Sequence, residues 1–478
     1  MSRYGAYCEK SYRLHFEEDF DFLFFNKELV LENLSQERIL AFDPSYLPKS
    51  GTKTPHIDKL AAEGMKFENA YSMPQCTPSR VSILTGQYPN RHGWVNHWDV
   101  PRWGARAHFD ASKYPSIGKI MQSAGYATCA AGKWQIDDFR VEPKAMKDAG
   151  FDAWCMWTGA EGGNMEASSK RYWDPYIFKG VKSQTFKEKF GPDLYAQFIF
   201  DFIAEKKAKP FFVYWPMALT HTPFVHTPLD NDPKMNKLQK HKAMVRYTDH
   251  LLGKLRAQLK AQGVAENTLI IFTTDNGTVR SITGTRLGTK VQGGKTKLTE
   301  NGINAPFIAH WPAKIQKSSV SHTLVDFTDF LPTFAELAGA EVEQKTIDGS
   351  SFAANLRDPK AANKREWILS LGSHPAKMKE GRVVPAQTFK PRSIRDTRWK
   401  VIVDHNKAIT HLHDLSKDPF EKNNLLGSDQ PEAKAAYAKF LSIVSKMPAV
   451  DAHPKYELNP AQKWDKKARS PKERKKAQ

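Results

Sequence analysis

Two short blocks of this chain combine residues that could do chemistry. The first is Gln75-Cys76-Thr77-Pro78-Ser79-Arg80, followed by Val81-Ser82-Ile83-Leu84-Thr85-Gly86. Proline is at ease in the first turn of a helix, so the spacing predicts Cys76 at or just before a helix N-terminus. Free N–H groups and the positive end of the helix dipole favour an anion there. The second is Thr273-Thr274-Asp275-Asn276-Gly277, after the apolar run Thr268 to Thr273. Carboxylate and amide oxygens are what a hard cation takes, and ligands of open α/β sheets bind beyond the carboxyl ends of strands. On local grounds alone Cys76 also reads as a buried cap and Asp275-Asn276-Gly277 as a turn. Three further stretches offer cations or a base: Lys133 in Ala131-Gly132-Lys133-Trp134-Gln135, His221 in Thr220-His221-Thr222-Pro223, and Lys295 or Lys297 in Gly293-Gly294-Lys295-Thr296-Lys297. A compact ammonium suits an anionic oxygen.

The cysteine block continues as Leu84-Thr85-Gly86-Gln87-Tyr88-Pro89-Asn90-Arg91-His92-Gly93. Together these residues resemble the signature of type I sulfatases, Cys-x-Pro-x-Arg followed by Leu-Thr-Gly and an Arg-His-Gly turn. The resemblance runs from about residue 52 to about residue 426 and includes Leu412-His413-Asp414-Leu415-Ser416-Lys417-Asp418-Pro419. It implies the alkaline-phosphatase-like α/β fold, a mixed and mostly parallel sheet between helices, with a smaller C-terminal α+β subdomain. It also implies that a maturation enzyme oxidises Cys76 to formylglycine. One hydroxyl of the hydrated aldehyde then attacks sulfur, and the other collapses the covalent sulfate. Asp275 and Asn276, with residue 76, are the implied ligands of one Ca²⁺. Arg80 braces residue 76, Lys133 contacts the sulfate, and His221 helps Lys295 protonate the departing alcohol. Lys295 is preferred to Lys297 because the family's lysine stands five residues before a glutamate, here Glu300.

Two departures stand out. The family's Gly-Lys-Trp-His block ends here in Gln135, and an amide cannot accept a proton near neutral pH. The family also carries two adjacent aspartates shortly before its Thr-Pro-x-Ile-Asp helix, whereas residues 26 to 54 hold only the single Asp43. Ca²⁺ usually takes 6–8 oxygens, so the ligand set is incomplete. An altered start of the chain is the expectation, and it would also account for the lack of an export signal. By resemblance the protein is periplasmic or secreted.

Around these residues the pattern alternates helix and strand, as in an α/β sheet covered on both faces. Helices are predicted at Pro55 to Gly64, Tyr114 to Gly125, Lys242 to Gly263 and Asp329 to Gly339. Strands are predicted near Tyr126 to Ala130, and buried ones at Phe211 to Trp215 and Thr268 to Thr273. Arg392 to Val403 and Thr410 to Leu415 read as paired strands, and Glu432 to Lys446 as a helix. The expected organisation is an atypical segment 1–50, a catalytic core 51–345, a subdomain 346–460 and a basic tail 461–478. A net charge of +19 at a pI near 9.5 fits a polyanionic partner. No nucleic-acid module and no membrane-spanning run is seen; the partners that the resemblance implies are a sulfated carbohydrate and the maturation enzyme. Four widely spaced cysteines exclude a zinc cluster of thiolates and a disulfide-dense scaffold. The rival readings are a phosphoesterase on the same fold and a catalytically impaired polyanion binder.

Overall fold

The computed structural model describes residues 52–95, 106–157, 171–286, 288–362, 365–372, 376–379, 382–385 and 387–462. Cys8, the acidic run 17–21, Asp43, the polar and aromatic stretch 96–103 and the basic tail 463–478 lie outside them. Two mixed sheets form the core. In the first, strands β2 (Ala127–Lys133), β3 (Ala153–Trp157), β4 (Tyr176–Lys179), β5 (Lys182–Thr185) and β6 (Phe211–Tyr214) run in the order β5-β4-β3-β2-β6. β2 is parallel to both β3 and β6. In the second, β1 (Met65–Tyr71), β7 (Ile270–Thr273), β10 (Phe307–His310) and β11 (Ser319–Asp326) run in the order β11-β1-β10-β7, with β1 parallel to β11 and β10 antiparallel to its neighbours. Strands β8 (Thr283–Arg286) and β9 (Thr289–Gln292) form a separate hairpin.

Side chains of a strand point alternately to opposite faces, and the first sheet shows it. Ala130 and Met156 pack with Val81 and Leu84 of α2 (Cys76–Thr85), Ile117 and Met121 of α3 (Ile117–Ser123), and Leu331 of α6 (Phe330–Ala338). Cys129, Ala131, Cys155 and Trp157 pack instead with Ile199 and Ile203 of α4 (Gly191–Lys206) and Tyr247 and Leu251 of α5 (Lys237–Ala261). Each fully buried aliphatic or aromatic side chain in these layers stabilises by about 1.5–3 kcal/mol. Helix α1 (Pro55–Glu63) buries Ile57 and Leu60 against α5 and β10. Helix α5 starts five residues before the predicted Lys242. Asn236 accepts from the Gln239 N–H at 3.0 Å and Gln239 accepts from the Asn236 N–H at 2.8 Å, a reciprocal cap that extends the helix.

The predicted buried strands differ from the expectation. β6 and β7 are half-buried along their whole length, because each ends its sheet. Among the described residues neither has a strand partner on the edge facing the other. Between those edges runs an apolar cavity of about 1110 Å³, walled also by Val245, Leu252 and Leu255 of α5 and by Phe330 and Phe334 of α6. Lys133, His221 and Asp275 also line it.

The third sheet is antiparallel, β12 (Ile368–Leu371), β15 (Arg392–Arg395), β16 (Trp399–Val403) and β17 (Ile409–Asp414), and is covered by α7 (Pro431–Ser445). The stretch predicted as one strand, 392–403, is a hairpin. Asp396 Oδ1 accepts from the N–H groups of Arg398 and Trp399 at 2.8 and 2.7 Å, the side-chain capture that makes aspartate a turn former. A β-hairpin of β13 (Ala376–Lys379) and β14 (Arg382–Pro385) precedes it. No helix among the described residues is long and apolar enough to cross a membrane.

Candidate active site

Cys76 is the first residue of α2 and is 5% exposed. The turn before it is stitched by Ser79, whose Oγ lies 3.1 Å from the Met73 carbonyl and 3.0 Å from that of Gln75. Past Gly86, the chain turns through Pro89-Asn90-Arg91-His92. Buried His92 accepts from the Trp94 N–H through Nδ1 at 3.0 Å and meets Ser82 Oγ through Nε2 at 3.2 Å. Burial drives its pKa down to about 3, so it is a neutral brace. Gly93 has φ +84, and a Cβ there would lie 2.1 Å from the His453 backbone, so the Arg-His-Gly turn needs glycine on both counts.

Arg80, one turn into α2, ties three elements together. Its Nε and Nη2 donate to Asp275 Oδ2 at 3.1 and 2.9 Å, and its Nη1 donates to the Lys133 carbonyl at 2.6 Å. Thus the start of α2, the end of β2 and the end of β7 are held in one place. Lys133 reaches it because Gly132 lets β2 pass close to the chain after β6; a Cβ there would meet the Pro216 carbonyl at 2.3 Å.

The electrostatics follow from this packing. Burial would raise the Cys76 thiol, but Lys133 and Lys295 pull it down to about 7. Burial brings the Lys133 ammonium down to about 7, Arg80 and Lys295 acting with it and Cys76 and Asp275 against it. Asp275, whose carboxyl burial would raise, is held below the usual carboxylate range by Arg80, then Lys133 and Lys295. His221 lies in the loop after β6, and burial followed by Lys133, Lys295 and Arg171 lowers it far below an ordinary histidine. Its Nδ1 is 2.7 Å from the Thr222 carbonyl. Lys295 is part-buried and acts on Cys76, Lys133, Asp275 and His221, whereas Lys297 is exposed. The structure therefore brings Cys76, Arg80, Lys133, His221, Asp275 and Lys295 together.

Gln135 is buried just beyond Lys133 with φ +65, a left-handed conformation that costs of order 1 kcal/mol for a residue other than glycine. Its amide makes no hydrogen bond among the described residues. One cation went unnoticed in the sequence. Arg171 places Nη1 3.3 Å from His221 Nδ1, and its setting, Arg171-Tyr172-Trp173, has no spacing that marks it.

For a divalent cation the donors are of the right kind but few. Asn276 Oδ1 is buried without a hydrogen-bond partner, and Asp275 lies beside it with its carboxylate ionised. No group of three or more His, Cys, Asp or Glu that could hold a metal occurs among the described residues. Oxygens of this kind suit a hard cation, and two of them would make up only part of its shell.

Comparison with known proteins gives a consistent picture. The family model described as Sulfatase matches residues 31–340, and one described as N-sulphoglucosamine sulphohydrolase, C-terminal, matches residues 294–444. The N-acetylgalactosamine-6-sulfatase of Mus musculus is 30% identical over 323 residues, which are 62% of this chain and 60% of that protein. Arylsulfatase A of Homo sapiens is 28% identical over 427 residues, 78% of each. The crystal structure of Ps i-CgsB superposes with a TM-score of 0.69 at 23% identity, covering 87% of this chain and 95% of that one. This last likeness is one of fold. The chain spans about 60% of the length of the N-acetylgalactosamine-6-sulfatases it matches.

Proposed function

This chain belongs to the sulfatase family, and from that premise we propose that it hydrolyses sulfate esters of carbohydrates. The observation that carries the reading is the charge around Cys76. Asp275 is the partner of Arg80, which leaves Lys133 and Lys295 without an ion pair among the described residues. Two such cations beside one buried nucleophile position call for an anionic group, and a sulfuryl group supplies it. The sugar as alcohol comes from the resemblance to an N-acetylgalactosamine-6-sulfatase.

Formylglycine at position 76 would supply the nucleophilic oxygen, and a divalent cation held by Asp275 and Asn276 would supply neutralising charge. The remaining steps fall to the side chains. Lys133 and Lys295 hold the sulfuryl oxygens. Arg80 keeps Asp275 ionised. His221 is neutral in the free protein; a bound sulfate offsets the cations around it and raises its pKa, readying it with Lys295 to protonate the leaving alcohol oxygen. Gln135 takes no proton in this scheme. A periplasmic or secreted location goes with this reading.

The test is turnover of a sulfated aryl ester by chain coexpressed with a formylglycine-generating enzyme, with Ca²⁺ present. Sulfate release is expected. A preparation with the aldehyde confirmed by mass spectrometry and no release would contradict the proposal. The few oxygen ligands among the described residues, with Gln135, favour one other reading, a polyanion binder without turnover. For that reading, calcium titration would give no uptake and the Cys76 peptide would have an unmodified mass.

A further inference from the structure

Arg171 differs from every other buried arginine side chain among the described residues. Arg80 has Asp275, Arg392 has Asp451 at 2.7 Å, Arg365 has Asp326 and Asp329, and Arg395 has Glu300. Arg171 is 9% exposed, and no carboxylate pairs with it among the described residues. Its Nε is buried without a hydrogen-bond partner. Its Nη1 lies 3.3 Å from His221 Nδ1, but that nitrogen lies 2.7 Å from the Thr222 carbonyl, which can only accept, and gives its proton there. The ring therefore offers Arg171 no acceptor. What holds the guanidinium is Trp157, whose ring centroid is 4.0 Å from Cζ. Stacking fixes the plane of the fork and repays only part of the desolvation of an unpaired buried charge. Arg392 shows the complete arrangement in the same molecule, with Phe389 on its face at 3.6 Å and a carboxylate on its edge.

The position of this fork relative to Cys76 says which anion it suits. Lys133 and Lys295 are the cations that dominate at the thiol, whereas Arg171 stands on the Nδ1 side of His221. Resting on the sulfatase reading above, we propose that Arg171 is a specificity-determining residue. It takes, by a two-pronged hydrogen bond, an oxyanion that the sugar carries beside the scissile sulfate: a carboxylate or a second sulfate. A planar guanidinium held against an aromatic face is built for such two-oxygen groups. The preferred substrates are then carbohydrates with at least two negative groups close together.

The test compares the matured full chain with Arg171→Gln and Arg171→Lys, after thermal melting shows that each variant folds. Four substrates are used: a sulfated aryl ester, a monosulfated neutral disaccharide, its disulfated counterpart, and a monosulfated disaccharide with a neighbouring uronate. Wild type should favour one or both dianionic sugars in kcat/KM by about tenfold or more. Arg171→Gln should abolish that preference, lowering kcat/KM about fivefold or more further for the dianionic sugars than for the aryl sulfate and the neutral monosulfated sugar, whatever common change follows from its contact with His221, and Arg171→Lys should restore part of it. Which dianionic sugar loses more identifies the group as carboxylate or sulfate. A wild type without the preference, or an equal loss on all four substrates, overturns the proposal. Aryl sulfate turnover by wild type separately tests the parent reading. Calorimetric Kd ratios for the same sugars test Arg171 without turnover, and equal ratios in wild type and Arg171→Gln would overturn it as well.

Discussion

Two kinds of buried charge cluster in this molecule look alike at first and are built on opposite rules. Around Glu300, where the core meets the antiparallel sheet, charges cancel. Lys400 lies 3.0 Å from Glu300 and 2.7 Å from Glu421, and Arg395 lies 3.5 Å from Glu300. Around Arg365 two carboxylates, Asp326 and Asp329, and the Tyr88 hydroxyl close on one guanidinium. Among the described residues, the carboxylate acting at Cys76 is Asp275, which belongs to Arg80, and Lys133 and Lys295 have no ion pair. A closed cluster fastens elements together. A cluster with surplus cations is stabilised only when an anion arrives, which is the mark of a binding site.

Mutations that treat the two kinds of cluster alike should give opposite results. The largest effect belongs to Cys76→Ala, which should cost about 10⁶-fold in sulfate ester turnover, with thermal stability retained. Next, Lys133→Met should lower kcat/KM by about 10²–10³-fold while urea unfolding shows stability held or raised, since a buried unpaired cation is removed. Arg365→Met should do the reverse at the level of folding. It leaves two buried carboxylates unpaired and should lose about 3–5 kcal/mol in urea unfolding. A destabilised Lys133→Met together with an unaffected Arg365→Met would break the comparison.

The pH dependence sharpens it further. Lys133 titrates at about 7 in the fold, below its unfolded value of about 10.4. Between those values the unfolded chain binds the proton and the native one does not, so this group's contribution to stability rises with pH across that window. A bound anion needs the proton back. Added sulfate should therefore raise the melting temperature more at about pH 6 than at about pH 9, and Lys133→Met should flatten the difference. The smallest expected effect is at Gln135. Gln135→Gly removes the strain of φ +65 and should gain up to about 1 kcal/mol in unfolding.

How much of this was legible in the sequence depended on how local each signal was. The placing of Cys76 at the head of α2 follows from Pro78 and the block around it, whereas Lys295 was preferred to Lys297 only through the resemblance, in which the family's lysine stands five residues before a glutamate. The turn carrying Asp275 was readable because an apolar strand precedes it. The half-exposure of β6 and β7 was not readable. Their composition is that of buried strands, and only the order of strands in two separate sheets decides what lies on each edge. Arg171 was invisible for a related reason. It matters through Trp157, which precedes it by 14 positions, and His221, which follows it by 50, and no periodicity encodes such a meeting. The Asp396 turn that splits 392–403 depended on which backbone N–H groups one carboxylate would capture.

The most direct test of the central claim uses one matured preparation and two esters of the same alcohol, a sulfate and a phosphate, with kcat/KM measured for each. The account predicts that the sulfate ester is the better substrate and that Cys76→Ala abolishes its hydrolysis. Preferred phosphate release, or sulfate release that survives in Cys76→Ala, would contradict it.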